Sequence, residues 1–159
     1  MRELIPIAEQ IAARLKERRE TVAVSESSTG GLISAVLLAV PGASAYFLGG
    51  GVIYTQAARR GILQVPDEAV KGIRSSSEPY ALVKARTIRE RVGATWGIGE
   101  TGATGPTGNR YGDKPGHSCL AVVGPSEKVI TLETGDSDRV TNMEVFTKAA
   151  LELFASALR

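Results

Sequence analysis

Thr21-Val22-Ala23-Val24-Ser25-Glu26-Ser27-Ser28-Thr29-Gly30-Gly31 is the segment that constrains the architecture most strongly. Its apolar half, up to Ser25, predicts a short buried strand. The hydroxyl and glycine residues that follow predict the start of a helix, which Pro41-Gly42 ends. A strand that leads directly into a helix is typical of α/β proteins.

The rest of the chain alternates between helical and strand patterns around this segment. Apolar residues at helical spacing predict an amphipathic helix before it, and runs rich in valine and isoleucine predict strands after it. Three consecutive glycines, Gly49-Gly50-Gly51, interrupt the next strand, as expected where another backbone or a ligand comes close. The predicted elements are helices over 3–19, 55–63, 77–92 and 141–158, and strands over 46–55, 94–100, 117–123 and 129–134.

These elements predict one α/β domain over residues 1–159. Strands separated by helices are expected to pair in parallel, whereas the short link Gly124-Pro125-Ser126-Glu127 predicts an antiparallel hairpin. The simplest architecture is a three-layer sandwich, with a mixed β-sheet and helices on both of its faces.

Three finer expectations concern packing. The helix over 77–92 is expected to bury Leu82, Ala85, Ile88 and Val92. Cys119 and Trp96 are expected in the core. The last helix is expected to open on a capping box, Thr141-Asn142-Met143-Glu144.

The composition is that of an ordinary globular protein and argues against several classes. Hydrophobic residues make up 43% of the 159, charged residues 23%, and the net charge of +2 is weak for a nucleic-acid or membrane partner. A single cysteine forms no intrachain disulfide, and a single histidine excludes multi-histidine metal sites, so we expect neither metal nor cofactor. Because no targeting segment is apparent, we expect a cytoplasmic protein.

The turn from Ser27 to Gly31 is the first candidate site. Hydroxyl groups and free backbone amides at the start of a helix could hold a phosphate, stabilise an oxyanion or present a nucleophile. The alternative is that Ser27, Ser28 or Thr29 only caps the helix.

The loop Thr101-Gly102-Ala103-Thr104-Gly105-Pro106-Thr107-Gly108 is the second candidate site. It follows a predicted strand, and ligands of open α/β sheets bind beyond the carboxyl ends of the strands. Its small residues allow close approach of backbone amides to a phosphate. Neither a Walker A loop nor a dinucleotide fingerprint is present. A surface turn is the alternative, but the stretch as far as Gly116 is much longer than a turn requires.

Single residues add weaker signals. Tyr54 could donate a proton or a hydrogen bond, or simply end its strand in the core. Arg59 and Arg60 could hold an anion, although solvent-exposed arginines are commoner. The lone His117 is expected to be structural, since no nucleophile elbow accompanies it.

Taken together, these segments resemble the CinA C-terminal domain family, whose characterised enzymes are nicotinamide mononucleotide deamidases. The resemblance extends over about the whole chain. It rests on Ser25-Glu26-Ser27-Ser28-Thr29-Gly30-Gly31, Pro41-Gly42-Ala43-Ser44, Phe47-Leu48-Gly49-Gly50-Gly51-Val52-Ile53-Tyr54, Ser76-Ser77-Glu78-Pro79, Thr101-Gly102-Ala103-Thr104-Gly105-Pro106 and Lys114-Pro115-Gly116.

The resemblance implies hydrolysis of the carboxamide of nicotinamide mononucleotide to nicotinate mononucleotide and ammonia. Ser27 would be the nucleophile, Tyr54 its partner, and position 59 the place of an assisting lysine. The substrate, a small phosphorylated pyridine mononucleotide, would contact Ser28, Thr29, Gly30, Gly31, Gly50, Thr101, Gly102, Thr104, Gly105 and Lys114. The family also implies a homo-oligomer.

The chain departs from the family at two places. Arg59 stands where the family has the lysine, and a guanidinium stays protonated, so it orients an anion but accepts no proton. In Gly135-Asp136-Ser137-Asp138-Arg139-Val140-Thr141 both arginines of the family pattern are replaced and Arg139 lies between their positions. An alternative reading is therefore a nucleotide-binding homologue without hydrolysis, in which Arg59 holds the anion.

Overall fold

A computed structural model describes every residue from Met1 to Arg159. Its helices and strands follow one another in the predicted order. The helices are α1 (Ile5–Arg18), α2 (Leu32–Leu38), α3 (Gln56–Gly61), α4 (Glu78–Val92) and α5 (Arg139–Ala157); the strands are β1 (Val22–Glu26), β2 (Phe47–Val52), β3 (Trp96–Ala103), β4 (His117–Val123) and β5 (Glu127–Glu133). No helix combines the length and the apolar character that crossing a bilayer requires.

The strands form one mixed sheet in the order β2-β1-β3-β4-β5, which confirms the predicted α/β architecture. β1 pairs in parallel with β2 and with β3, whereas β4 pairs antiparallel with β3 and β5. Because β1, β2 and β3 run the same way, their carboxyl ends meet at one edge of the sheet. The chain leaves β1 at Ser27 and β2 at Ile53 on that edge, beside the last residues of β3.

One face of the sheet carries the main hydrophobic core, which α1, α2 and α5 cover. Val22 and Val24 of β1 and Ile98 of β3 project into it, together with Trp96, whose ring meets Phe154 of α5 edge-on at 5.7 Å between centroids. Each such buried side chain contributes roughly 1.5–3 kcal/mol of transfer free energy. This core fixes the orientation of β1 and hence the direction in which the chain leaves it.

The other face carries α4, which packs directly on the backbone of β3. A Cβ atom on Gly99 would lie 2.1 Å from the carbonyl oxygen of Ala81, and one on Gly97 would lie 2.1 Å from that of Ala85. Ala81 and Ala85 form a small buried cluster with Cys119 and its neighbours on β4. The close helix–strand contact depends on glycine at both strand positions.

The predicted buried face of α4 is partly wrong. Ala85 is buried as expected, but Val92 is 41% exposed, and Tyr80, Ala81 and Lys84 are buried in its place. Leu82 and Ile88 are half-buried. The approach of α4 to β3 explains the shift, because only small side chains fit between the two backbones and a long one must extend along them.

The structure also corrects two predicted boundaries. Helix α5 begins at Arg139 and is capped by Asp138, whose carboxylate accepts a hydrogen bond from the Thr141 amide at 2.7 Å, so the capping box is wrong. Strand β3 continues to Ala103 because these additional residues pair with the beginning of β4. The long loop therefore starts three residues later than predicted.

Candidate functional site

The turn between β1 and α2 is tied to β3 by a buried carboxylate. Glu100 is fully buried, and its Oε2 accepts hydrogen bonds from the Ser27 amide at 2.7 Å, the Thr29 amide at 3.2 Å and Thr29 Oγ1 at 3.1 Å. Its Oε1 accepts from Ser28 Oγ. A buried carboxylate needs several such donors to offset the loss of hydration. Glu100 therefore fixes the backbone on which Ser27 stands.

A second buried carboxylate, that of Glu26, completes this corner from the β1 side. It accepts hydrogen bonds from the Gly31 amide at 2.8 Å, the Ser34 amide at 2.9 Å, Ser34 Oγ at 2.7 Å and Thr29 Oγ1 at 2.7 Å. The first turn of a helix leaves backbone amides without helical partners, and an acidic group stabilises that end. In this protein the acidic group at the start of α2 is the side chain of Glu26, so the helix end needs no bound anion.

These contacts change the expectation for the amides between Ser27 and Gly31. The amides of Thr29 and Gly31 already donate to carboxylates, and that of Gly30 donates to the Ser27 carbonyl at 3.1 Å. These three amides are therefore not free to bind a phosphate, contrary to the expectation from the sequence. The Ser28 amide is the exception in this turn, since it donates no hydrogen bond within the chain.

The Ser27 corner opens into a cavity of about 310 Å³ at the carboxyl ends of the parallel strands. Thr101 and Gly102 of β3 line the same cavity, so the two predicted segments face a common space. The Ser27 Oγ makes no hydrogen bond within the chain, whereas Thr101 Oγ1 accepts one from the Ser76 amide at 3.1 Å. The other lining residues are Ile53, Tyr54, Thr55, Gln56, Ser75, Ser76, Tyr80, Asn109, Arg110 and Tyr111.

A second hollow of about 200 Å³ adjoins the first and shares Tyr54, Gly102 and Asn109 with it. The glycine-rich loop after β3, including Thr104 and Gly105, forms its wall. The amides of Thr104, Gly105, Thr107 and Gly108 donate no hydrogen bond to the backbone. Free amides and a neighbouring arginine are typical of an anion site.

Arg139 supplies that positive charge at the start of α5. Its guanidinium donates to the Gly105 carbonyl at 2.7 Å and to the Tyr54 hydroxyl at 3.2 Å, and it lines the second hollow. An arginine carries five N–H donors, so these two bonds leave others available. The Tyr54 ring itself is 59% exposed at the mouth of both hollows.

Arg59 does not line either hollow. It is 4% exposed, and its guanidinium donates to the Val65 carbonyl at 2.6 Å and forms an ion pair with Asp67. The hydrogen bond from Arg60, followed by that from Arg59, and the charges of both arginines hold the pKa of the Asp67 carboxyl below its usual range. The guanidinium is therefore committed to the segment after α3.

Several other residues implied by the resemblance lie apart from the hollows. Gly50 is exposed on β2, where the Ser34 hydroxyl of α2 would lie 2.4 Å from an added Cβ, so close helix packing requires glycine there. Lys114 is exposed on the long loop and lines neither hollow. Thr29, Gly30 and Gly31 lie behind the corner, where they bind the two glutamates or the turn itself.

Lys84 is a buried charge-bearing residue that the sequence reasoning missed. It is 1% exposed, and its Nζ donates to the carbonyl oxygens of Glu100 at 2.6 Å and Ile53 at 3.4 Å. Burial lowers its pKa to about 8, although the charges of Glu100 and Glu26 act in the opposite direction. No local sequence signal identifies it, since a lysine within a helix is usually solvent-exposed.

His117 supports the cavity wall from behind, as a structural residue. Its Nδ1 bonds to a Glu133 carboxylate oxygen and its Nε2 to the Ser76 carbonyl at 2.7 Å, so both ring nitrogens face acceptors. Burial alone lowers the pKa of His117, but the hydrogen bonds to Glu133 and Ser76 and the charges of Asp113 and Glu133 outweigh it and leave the pKa raised.

Comparison with known proteins places these features in a family. The family model of the CinA C-terminal domain matches residues 4–158. A CinA-like protein of Anaeromyxobacter sp. (strain K) is 43% identical over 155 residues, which cover 96% of this chain and 38% of that protein. A CinA-like protein of Salinibacter ruber is 39% identical over 139 residues, which cover 87% of this chain and 34% of that protein. The chain thus spans little more than a third of these curated relatives.

Solved structures agree in fold. A competence/damage inducible protein from Agrobacterium tumefaciens superposes with a TM-score of 0.89 at 29% identity, covering 98% of this chain and 94% of that one. A competence or damage-inducible protein from Enterobacter asburiae gives a TM-score of 0.91 at 24% identity, with 98% of each chain covered. The second likeness concerns the fold alone.

Proposed function

Because the chain belongs to the CinA C-terminal domain family, we propose that it is an amidohydrolase that converts nicotinamide mononucleotide to nicotinate mononucleotide and ammonia. One observation carries the proposal. Ser27 Oγ faces the cavity without a hydrogen-bond partner in the chain, on a corner that two buried carboxylates hold rigid. Nucleophilic attack on an amide requires a positioned hydroxyl and a base that activates it, and this corner supplies the positioned hydroxyl.

In this reaction Ser27 Oγ adds to the carboxamide carbon. The carbonyl oxygen then becomes an oxyanion, and the unengaged donor of the corner is the amide of Ser28, the residue after Ser27 that lines the adjoining smaller hollow. The backbone amide of the residue after the nucleophile serves the same purpose in other serine hydrolases. Tyr54, at the mouth of the cavity, is placed to hydrogen bond the substrate or pass a proton to the departing amine.

The two adjoining hollows suit the two ends of a mononucleotide. We assign the carboxamide-bearing ring to the larger hollow, where Tyr80 and Tyr111 offer aromatic surface beside Ser27. The phosphate is assigned to the smaller hollow, where free loop amides and the Arg139 guanidinium supply donors and charge. Arg139 would thereby take over from the two arginines that the chain lacks.

The direct test is ammonia release from nicotinamide mononucleotide by the wild type and by Ser27→Ala. Ser126→Ala, in the exposed hairpin between β4 and β5, is the matched control. We expect wild-type and control activity, and loss of turnover in Ser27→Ala. Full turnover by Ser27→Ala would show that Ser27 is not the nucleophile. Nicotinamide riboside, which lacks the phosphate, is expected to show a KM at least about tenfold higher, since a lost charge-assisted contact costs about 1.4 kcal/mol or more.

The second candidate is a nucleotide-binding protein without hydrolysis. It is favoured by the position of Arg59, because α3 supplies no proton acceptor to the cavity. Titration calorimetry separates the two: micromolar binding of nicotinamide mononucleotide without ammonia release would favour the binding protein. The anion would then be held by Arg139 rather than Arg59, so Arg139→Gln would weaken binding and Arg59→Gln would not.

A further inference from the structure

We propose that Lys84 accepts the proton of the Ser27 hydroxyl, and so performs the task for which α3 offers only an arginine. The inference rests on the proposed function for the identity of the substrate. The geometry behind it is independent of any substrate: a buried amine lies beneath the corner that carries a free serine hydroxyl.

The Lys84 amine lies on the side of α4 that faces the sheet. Lys84 stands one helical turn after Tyr80 on the sheet-facing side of α4, and Tyr80 lines the cavity. Side chains on a helix lean toward its N-terminus, so the Lys84 side chain extends from below toward the residues that Tyr80 contacts. It therefore approaches the cavity from its floor.

The anchors of the amine place it at the level of Ser27. Lys84 Nζ donates hydrogen bonds to the Ile53 and Glu100 carbonyls. Ile53 follows the last residue of β2, and Glu100 lies on β3, so the two carbonyls come from the two strands that flank β1. The Ile53 amide donates to the Glu26 carbonyl at 2.6 Å, and Gly99, just before Glu100, lies opposite Ser25. The amine thus bridges the two strands that flank β1 where the chain turns into Ser27.

The number of hydrogen bonds fits a neutral amine. A neutral lysine has two N–H groups and one lone pair, whereas an ammonium has three donors and no acceptor. The two carbonyls use two N–H groups, and no third acceptor contacts Nζ. When neutral, the amine keeps both anchors and has a free lone pair. Nζ and Ser27 Oγ do not contact each other directly, so the proton is transferred once the hydroxyl turns toward the amine or through one bridging water.

Burial, rather than the surrounding charges, leaves this amine able to lose its proton near pH 8. Burial lowers the pKa of Lys84 to about 8, with Glu100 on β3 and Glu26 on β1 opposing the shift. No titratable side chain stands on β2. Those on the outer strands have other partners: His117 binds Glu133, Cys119 contacts Thr131, Glu127 pairs with Arg86, and Lys128 binds Ser156.

The reaction balances through this amine. The Ser27 proton moves to the Lys84 lone pair while Oγ bonds to the carboxamide carbon. The C–N bond then breaks, the proton passes to the leaving nitrogen, and ammonia departs from a Ser27 ester. Water attacks that ester and gives one proton to the neutral amine, which returns it to Oγ as the ester bond breaks. The released carboxylic acid then loses its own proton to solvent and becomes the carboxylate.

The test uses a fluorophosphonate, which phosphonylates an activated serine whatever the natural substrate. The variants are Lys84→Met, which keeps the length without an amine, and Lys84→Arg, which keeps a charge that stays protonated. Lys71→Met, at an exposed lysine, is the matched control. Circular dichroism shows which variants are folded. The labelled residue is identified by mass spectrometry, and rates are followed from pH 6 to 10.

We expect labelling at Ser27 in the wild type with a rate that rises with pH and levels off above about pH 8. Both Lys84 variants should react about 10²- to 10⁴-fold more slowly, the usual contribution of a general base. Labelling of a folded variant within threefold of the wild type, or no labelling of wild-type Ser27 at any pH, would overturn the proposal. If labelling depends on Lys84 but no ammonia is released from nicotinamide mononucleotide, Lys84 is still the base for Ser27, and the substrate named under the proposed function is wrong.

Discussion

Glu26 and Glu100 lie on adjacent parallel strands and share the hydroxyl of Thr29, which contacts Glu26 Oε1 at 2.7 Å and Glu100 Oε2 at 3.1 Å. Between them the two carboxylates bind most of the hydrogen-bond donors from Ser27 to Ser34. The corner is therefore held by side chains that belong to the sheet, and its position depends on strand register.

Glu100→Gln is expected to damage both stability and activity. The substituted amide keeps one acceptor oxygen but turns an NH₂ group toward the backbone and hydroxyl donors of the corner. Leaving a buried donor unpaired costs about 1–3 kcal/mol, so the free energy of unfolding should fall by about 2 kcal/mol or more in denaturant titration. Glu127→Gln, at an exposed glutamate on β5, is the control. Equal denaturation midpoints for Glu100→Gln and wild type would contradict the role of this carboxylate.

Arg59→Lys is expected not to raise amide hydrolysis. A lysine at this position would lie near the Val65 carbonyl and Asp67, at a position that lines neither hollow. Turnover of nicotinamide mononucleotide should stay within about twofold of wild type, because a side chain that does not contact the substrate or the transition state leaves the barrier unchanged. A sharp increase in ammonia release would show that position 59 reaches the substrate and that the Arg59 contacts rearrange on binding.

His117 is expected to titrate above its ordinary pKa of 6.5. Because the folded state binds the proton more tightly than the unfolded state, the stabilisation is complete below pH 6.5 and is lost as pH rises through the raised pKa. NMR of the ring Cε1–H gives the pKa directly, since the chain has one histidine. Glu133→Gln should lower that pKa, because the hydrogen bond and charge of Glu133 raise it. A wild-type value below 6.5 would be inconsistent with this cluster.

Gly99→Ala is expected to be severely destabilising. Its Cβ would lie 2.1 Å from the Ala81 carbonyl oxygen, so α4 must move away from β3. Overpacking of this kind typically costs about 1–3 kcal/mol, here at the upper end because the clashing atom is backbone. Gly61→Ala, where an added Cβ meets nothing within 4 Å, is the control. Similar melting temperatures for the two variants would refute the close packing.

The sheet and its connections could be predicted from the sequence because each strand and each helix has a recognisable local residue pattern. Apolar runs marked the strands, and Ser77 with Pro79 marked the start of α4, whose first residue is Glu78. The meeting of Ser27 with Thr101 and Gly102 followed from topology, since carboxyl ends of parallel strands share an edge. These predictions needed no knowledge of side-chain partners.

The roles of Glu100 and Lys84 could not be predicted in the same way. A glutamate at the end of a strand and a lysine in a helix are usually solvent-exposed. Their burial depends on partners distant in sequence: Glu100 binds the corner more than 70 residues earlier, and Lys84 binds carbonyls of two different strands. The burial of Arg59 could not be predicted either. It depends on the Val65 carbonyl and Asp67 lying within reach of the guanidinium, and no periodic pattern in the sequence indicates that.

The attachment of the Ser27 corner to β1 and β3 also determines how this protein would fail under stress. A reactive group on a hinged flap can lose its alignment while the rest of the molecule stays intact. Here the supports of Ser27 are central strands, so misalignment and collapse of the sheet are one event. Heat or denaturant should then leave molecules that are either fully competent or unfolded, without an inactive native-like form between them.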